Sequence, residues 1–278
     1  MTVPTASPLI VVAPRGGLFN LDLRQLWFYR ELMYFLVWRD VKIRYKQALI
    51  GAGWAIIQPL TTMLIFTAVF GYFAKIPSDG VPYALFAYAG LLPWTYFAEA
   101  TRRGALGPVE DAELIRKIYF PRLIIPLAMV MAPLVDLLLS FLVLIGLFIW
   151  FGYAPTANII FLPFFIIAAM LLALAVALWL GPLNVRFRDI KHAVPFLIQI
   201  WMYASPIVYP VSLVPEPWRL LYSLNPMVGV IEGFRWALLG STRPDFMAMG
   251  IGLVLVLFLL AGGAFYFRRM ERIFADVI

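Results

Sequence analysis

The sequence predicts an all-α integral membrane protein: six transmembrane helices, an N-terminal amphipathic interfacial helix, and two short re-entrant outer-leaflet helices before the last span. Two observations carry this. Hydrophobic residues make up 63% of the 278 and charged residues 13%, against roughly 45–50% and about 25% in a soluble domain. Eighteen of the 22 Lys and Arg residues fall in alternate gaps between apolar stretches, the bias that marks cytoplasmic loops. The expected division is a cytoplasmic N-terminus with the interfacial helix at 1–47, a transmembrane domain at 48–267 and a cytoplasmic tail at 268–278.

Composition excludes several classes. The net charge of +7 would suggest nucleic acid in a soluble protein, but here the basic residues flank apolar spans, where they meet anionic headgroups. With no cysteine, disulfides, thiolate catalysis and Cys-based metal sites are ruled out. Residues 1–20 hold a single Arg and lack a charged region ahead of an apolar core and cleavage site. No signal peptide is expected.

Taking the elements in order, residues 23–47 mix Leu23, Leu26, Trp27, Tyr34, Val37 and Val41 at helical spacing with Arg24, Arg39, Lys42 and Lys46. Such a helix lies on a membrane surface, and Trp27, Phe28, Tyr29, Tyr34, Phe35 and Trp38 suit the interface better than water. Six stretches are then long enough to cross the ~30 Å hydrocarbon core: 48–73, 81–98, 123–150, 159–183, 193–211 and 246–267. The basic residues cluster before the first, between the second and third, between the fourth and fifth, and after the sixth. Both termini are therefore expected in the cytoplasm. The opposite side holds Lys75, Arg219, Arg235 and Arg243.

Region 218–240 resembles a further span, but it carries Arg219, Glu232 and Arg235, and Asn225-Pro226 breaks it near the middle. Two short helices dipping into the outer leaflet fit better, since a protein-lined cavity tolerates such interruptions. Within the spans, Ala169, Ala173, Ala177 and Gly181 recur every four residues, a small-xxx-small stripe that lets backbones approach closely. Packing inside one subunit is favoured over a dimer seam. Gln58-Pro59 and Leu92-Pro93 should bend their helices. The 45 aromatic residues furnish interfacial belts, and some are open to lining a path for sugar.

The sequence has no catalytic constellation. No phosphate-cradling loop, dinucleotide turn or HExxH pair occurs. His192, the sole histidine, reads as a boundary residue. Asp136 is the one acid deep in a span, and a hydrogen-bonded structural role is favoured over a proton carrier because no other central ionisable group accompanies it. Glu99, Arg102 and Arg103 read as a helix-end anchor rather than an enzyme site.

The connection between the second and third spans is more distinctive. Asp111, Glu113, Leu114, Ile115, Arg116, Lys117, Ile118 and Tyr119 form a short helix with acids early and bases late, matching the helix dipole, and Pro121 follows. Leu114, Ile115, Ile118 and Tyr119 are apolar on a water-side loop, so a partner or membrane surface should cover them.

Four segments carry a resemblance to a known family: Leu85 to Trp94 (LFAYAGLLPW), Ile115 to Arg122 (IRKIYFPR), Val185 to Ile190 (VRFRDI) and Asn225-Pro226-Met227. They resemble the permeases of polysaccharide-export ABC transporters, the membrane subunits that export O-antigen, capsular and teichoic acid polymers. The likeness runs in order along nearly the whole chain. It implies a homodimer working with two ABC ATPase subunits, and no cofactor in this chain, since ATP and Mg bind the partner ATPase. It implies that 111–119 is the ATPase-coupling helix and that the substrate is a polymer on an undecaprenyl-type lipid, taken from the cytoplasmic side across the bacterial inner membrane. Trp218, Tyr222, Asn225, Pro226 and Arg235 would belong to an outer-leaflet gate. Asp111 and Glu113 stand where relatives often open the coupling loop with an amide. A small-molecule efflux permease of the same fold is the nearest alternative; a channel would need polar pore-lining rings that the spans lack.

Overall fold

The computed structural model describes residues 23–46, 53–187, 189–241 and 243–277. The readings on the N-terminal segment up to residue 20 and on the start of the first span, 48–52, lie outside them. Every regular element among the described residues is helical. In order they are α1 (Leu23–Phe28), α2 (Arg30–Lys46), α3 (Gly53–Phe66), α4 (Tyr83–Glu110), α5 (Ala112–Lys117), α6 (Ile124–Met131), α7 (Leu134–Phe151), α8 (Leu162–Arg186), α9 (Ile190–Tyr203), α10 (Glu216–Ser223), α11 (Pro226–Leu239) and α12 (Phe246–Val277). Wider π-type turns prolong α3 over Thr67–Phe73, and a 3-10 turn at Ala157–Phe161 leads into α8.

Among the described residues four helices are long and apolar enough to cross a membrane: Gly53–Phe73, Ile124–Phe151, Ala157–Arg186 and Phe246–Glu271. The second of these is α6 and α7, interrupted by a turn at Ala132-Pro133. The expected span at 193–211 is helical only as far as Tyr203. Its 14 residues reach about 21 Å, short of the ~30 Å core, and Ala204–Pro210 continues as turns.

α4 is the axis of the molecule. Residues 84–94 are buried without exception, because the segment is apolar all round and helices α3, α6, α7, α8 and α11 pack about it. The buried hydroxyls of Tyr88 and Tyr96 donate to the carbonyls of Ser140 (3.0 Å) and Val130 (3.1 Å), so both rings carry a polar tip into the core with a partner. The helix was expected to end near residue 98 but runs 28 residues to Glu110, about 42 Å. Glu99 pairs at i+3 and i+4 with Arg102 and Arg103, which sustains the helix beyond the apolar stretch. Gly104 and Gly107 do not break it, because they are used for close approach. A Cβ on Gly104 would stand 2.5 Å from that of Ala177.

That contact explains the small-residue stripe. Ala169, Ala173, Ala177 and Gly181 are all buried, and at this end the stripe meets Gly104 and Pro108 of α4. The stripe is an intramolecular seam. Pro59 and Pro93 sit inside α3 and α4, which continue through them. The last helix does not stop near residue 267: α12 extends to Val277, so the tail begins as a helical extension.

The N-terminal segment is helical as α1 and α2, and one face of it packs on the rest of the chain. Leu26, Tyr29, Leu32, Met33, Leu36 and Val37 pack with Ile115, Phe120, Ile124, Ile125, Ala128 and Met129. Trp27 and Tyr34 remain 71% and 70% exposed. The side chains facing inward follow the 3.6-residue repeat, whereas the larger aromatic rings point outward, where a membrane interface takes amphipathic rings.

Candidate functional site

Helices α2, α4, α5 and α7 converge at one end of the molecule and bring four arginines and four carboxylates together. Arg39 Nη2 donates to Asp111 Oδ2 at 2.8 Å, and Arg39 Nε donates to Asp40 Oδ1 at 3.0 Å. Burial works against the Arg39 charge, but the hydrogen bonds and charges of Asp111 and Asp40 outweigh it and hold the guanidinium above its usual pKa. Asp40 also faces Arg103 Nη1 at 3.9 Å. That is an ion pair without a hydrogen bond, and Asp40 Oδ2 is buried with no hydrogen-bond partner.

Glu99 is the hub. It accepts from Arg103 Nε at 2.8 Å, from Arg102 Nη2 and Nε at 2.9 and 3.0 Å, and from Arg44 Nη2 at 2.5 Å. Arg44 pairs in addition with Asp136, which also accepts from the Tyr45 hydroxyl. Asp136 thus stands in the first turn of α7 beside a cation from α2, not isolated at mid-span. The sequence reading missed that partner. Arg44 also makes the Glu99, Arg102 and Arg103 anchor a bridge between helices.

The short helix expected between the second and third spans is present as α5, opened by Asp111 at its N-cap and followed by the extended Ile118. Glu113 pairs with Lys117 at 2.8 Å and Arg116 at 3.9 Å on the water side. One expectation is corrected here. Ile115 is only 7% exposed and packs with Leu36 of α2 and Ile124, Ala128 and Met129 of α6, because it is on the side of the short helix that faces α2. Leu114 is half-buried against the same cluster. The apolar surface left for a partner is Ile118 and Tyr119, 52% and 72% exposed.

The residues assigned to an outer-leaflet gate lie at the opposite end of α4, and the structure separates them. Trp218 is exposed on α10, and the Tyr222 hydroxyl hydrogen-bonds that of Tyr209 at 2.9 Å. Asn225 caps α11: its Oδ1 accepts from Met227 N at 3.1 Å and Trp201 Nε1 at 2.8 Å, while Nδ2 donates to Ala204 O at 2.9 Å. Pro226 is buried behind it. Arg235 is 1% exposed. Its guanidinium donates to the carbonyls of Ile207 (2.7 Å) and Phe86 (3.3 Å), pairs with Glu232 at 3.0 Å, and lies 3.6 Å from the Phe86 ring centre. Gly90 makes room, since a Cβ there would come within 2.9 Å of Arg235 Nη2. Arg235 is therefore enclosed in this conformation and fixes α11 against α4, while Pro226 lies beside Gly252 of α12. The 14 residues of α11 span about 21 Å, too short to cross the core, which agrees with reading this region as short helices. His192 is exposed at the start of α9, as a boundary residue would be.

Comparison with known proteins agrees with this architecture. Residues 31–239 match the ABC-2 type transporter family, and that stretch takes in α2, the α5 loop and α11. The chain belongs to the ABC-2 type transporter family. It is 29% identical over 259 residues, 92% of this chain and 98% of the relative, to the O-antigen export system permease protein RfbA of Myxococcus xanthus. It is 25% identical over 249 residues to the protein of the same name from Klebsiella pneumoniae, covering 89% and 95% of the two chains. The polysialic acid transport protein KpsM of Escherichia coli is 24% identical over 243 residues, covering 84% and 91%.

Proposed function

We propose that this chain is the membrane-spanning permease subunit of an ATP-driven exporter that moves a lipid-linked, O-antigen-like polysaccharide from the cytoplasmic side across the inner membrane. The observation that carries the proposal is the end-to-end similarity to permeases named for O-antigen export, supported by the polysialic acid relative. Two copies would work with two ABC ATPase subunits, and ATP with Mg would bind those partners. In this reading the chain crosses the membrane six times: α4, and α9 continued by the turns at Ala204–Pro210, join the four helices that are long and apolar enough by themselves, with both termini in the cytoplasm. The re-entrant elements are α10 and α11.

The residues supply a path for the work. A partner seated on Ile118 and Tyr119 pushes α5; the Asp111–Arg39 bond and the Ile115–Leu36 contact pass the displacement to α2. Arg44 passes it on to α4 through Glu99 and to α7 through Asp136. Because the pairs are partly hydrated, each is weakly held and open to exchange, which suits a joint that moves. Half-buried pairs of opposite charge also keep the lever assembled between strokes.

The test is reconstitution. Proteoliposomes holding this chain and its ATPase should move undecaprenyl-linked glycan to the far leaflet only with ATP, and cells lacking the chain should retain polymer on the cytoplasmic face. Normal surface polymer combined with new drug sensitivity would point instead to small-molecule efflux.

A further inference from the structure

The first turns of α8, the middle of α11 and the first third of α12 enclose a cavity of about 630 Å³. Phe164, Phe246, Met249 and Leu253 supply apolar walls, and small residues open the space: Gly229, Gly250 and Gly252 all face it. A Cβ built on Gly250 meets no atom within 4 Å. At the rim stands Arg243, the one charged lining residue, exposed to solvent. The nearby acid, Asp245, is engaged in capping α12, its Oδ1 accepting from Met247 N at 2.9 Å and Ala248 N at 3.2 Å.

The dimensions choose the occupant. On α12 the lining runs from Phe246 to Val256, a rise of about 15 Å, which is half of the ~30 Å hydrocarbon thickness. The site is therefore one leaflet deep, with a cation at headgroup level and apolar walls below. A long polyprenyl chain overruns that depth, whereas a phospholipid acyl chain matches it. Anionic headgroups are drawn to Arg at this level, and an acyl chain restores the dispersion contacts that an empty apolar space forfeits.

We propose that this cavity is a binding site for one acyl chain of an anionic phospholipid, with its phosphate on Arg243. The inference rests on the membrane placement given above and not on the identity of the cargo. A lipid there is a packing partner of α11, wedged between that short helix and α12.

The experiment uses the full chain in nanodiscs of equal parts phosphatidylcholine and phosphatidylglycerol, with an acyl-chain diazirine on either lipid. Photolabel from phosphatidylglycerol should concentrate on Phe164, Met249 and Leu253, above the level at Phe258, which is exposed further along α12. Gly250→Leu, whose Cβ meets no atom within 4 Å, places its isobutyl group in the space and should cut that labelling about tenfold, as the loss of a few buried methylenes requires. Arg243→Gln, a surface change that leaves the fold alone, should erase the preference for phosphatidylglycerol over phosphatidylcholine. Labelling of the lining no stronger than at Phe258, or indifferent to both substitutions, overturns the site. Displacement of the label by undecaprenyl phosphate far below the phosphatidylglycerol concentration overturns the choice of a phospholipid.

Discussion

The two ends of α4 use arginine in opposite ways. At one end Arg39, Arg44, Arg102 and Arg103 share Asp40, Glu99, Asp111 and Asp136 across four helices, all of these side chains but Asp40 partly open to water. At the other, Arg235 is enclosed, holds one acid, and spends its remaining donors on two fixed backbone carbonyls. A shared set of half-hydrated pairs can exchange partners at little cost. An enclosed cation with backbone acceptors has nowhere to go. The first arrangement fits a joint that transmits movement, the second a rivet that fixes α11 while the rest moves.

The contrast is broken most severely by removing the rivet. Arg235→Met leaves the mostly enclosed Glu232 without its cation and the Ile207 carbonyl without this donor, and should cost about 3 kcal/mol. Thermal unfolding of the detergent-purified chain should show a large drop, partly restored by adding Glu232→Gln. An unchanged melting temperature would mean that α11 is held by its apolar face alone.

A second test separates the two faces of α5. Ile115→Asp puts a charge into the cluster with Leu36 and Ile124, and should reduce stability before any partner is present. Replacing Ile118 and Tyr119 with Asp should leave folding intact and weaken ATPase binding more than tenfold, since one buried side chain of this size contributes roughly 1.5–3 kcal/mol. Co-purification beside thermal unfolding distinguishes them. Equal effects in both assays would erase the assignment of faces.

A milder change probes the joint. Asp136→Asn keeps shape and can still accept from Tyr45, and Arg44 retains Glu99; the loss should be about 1 kcal/mol, with most export kept. Abolished export in a well-folded protein would return Asp136 to the role of a proton carrier.

These residues also show what a sequence discloses. The small-residue stripe, the acid-to-base order of α5 and the break at Asn225-Pro226 were legible because each rests on spacing within one helix. The pairing of Arg44 with Asp136 was not, since the two are far apart in sequence and nothing local to Asp136 signals a cation. The packed side of α1 and α2 was not legible for another reason: a membrane surface gives exposed Trp27 and Tyr34 a place that water would not, so large apolar side chains do not mark the face that meets α6. Ile115 and Ile118 were taken together because both are apolar on a water-side loop. Only the position of α2 shows that one is core and the other free. The length of α4 was hidden because Glu99, Arg102 and Arg103 read as an anchor at a helix end, whereas they pair along a helix that continues past them to Glu110.

The central claim is that displacement of α5 reaches α2 through Asp111 and Arg39, and one measurement addresses it directly: glycan exported per ATP hydrolysed by the reconstituted transporter, for the parent chain and for Asp111→Ala. Asp111 lies outside the Ile118 and Tyr119 surface, so the ATPase should still bind and turn over. The account predicts continued hydrolysis with export per ATP reduced several-fold or more. Hydrolysis and export per ATP both equal to the parent's would contradict it, and would show that the stroke enters the membrane helices by another route.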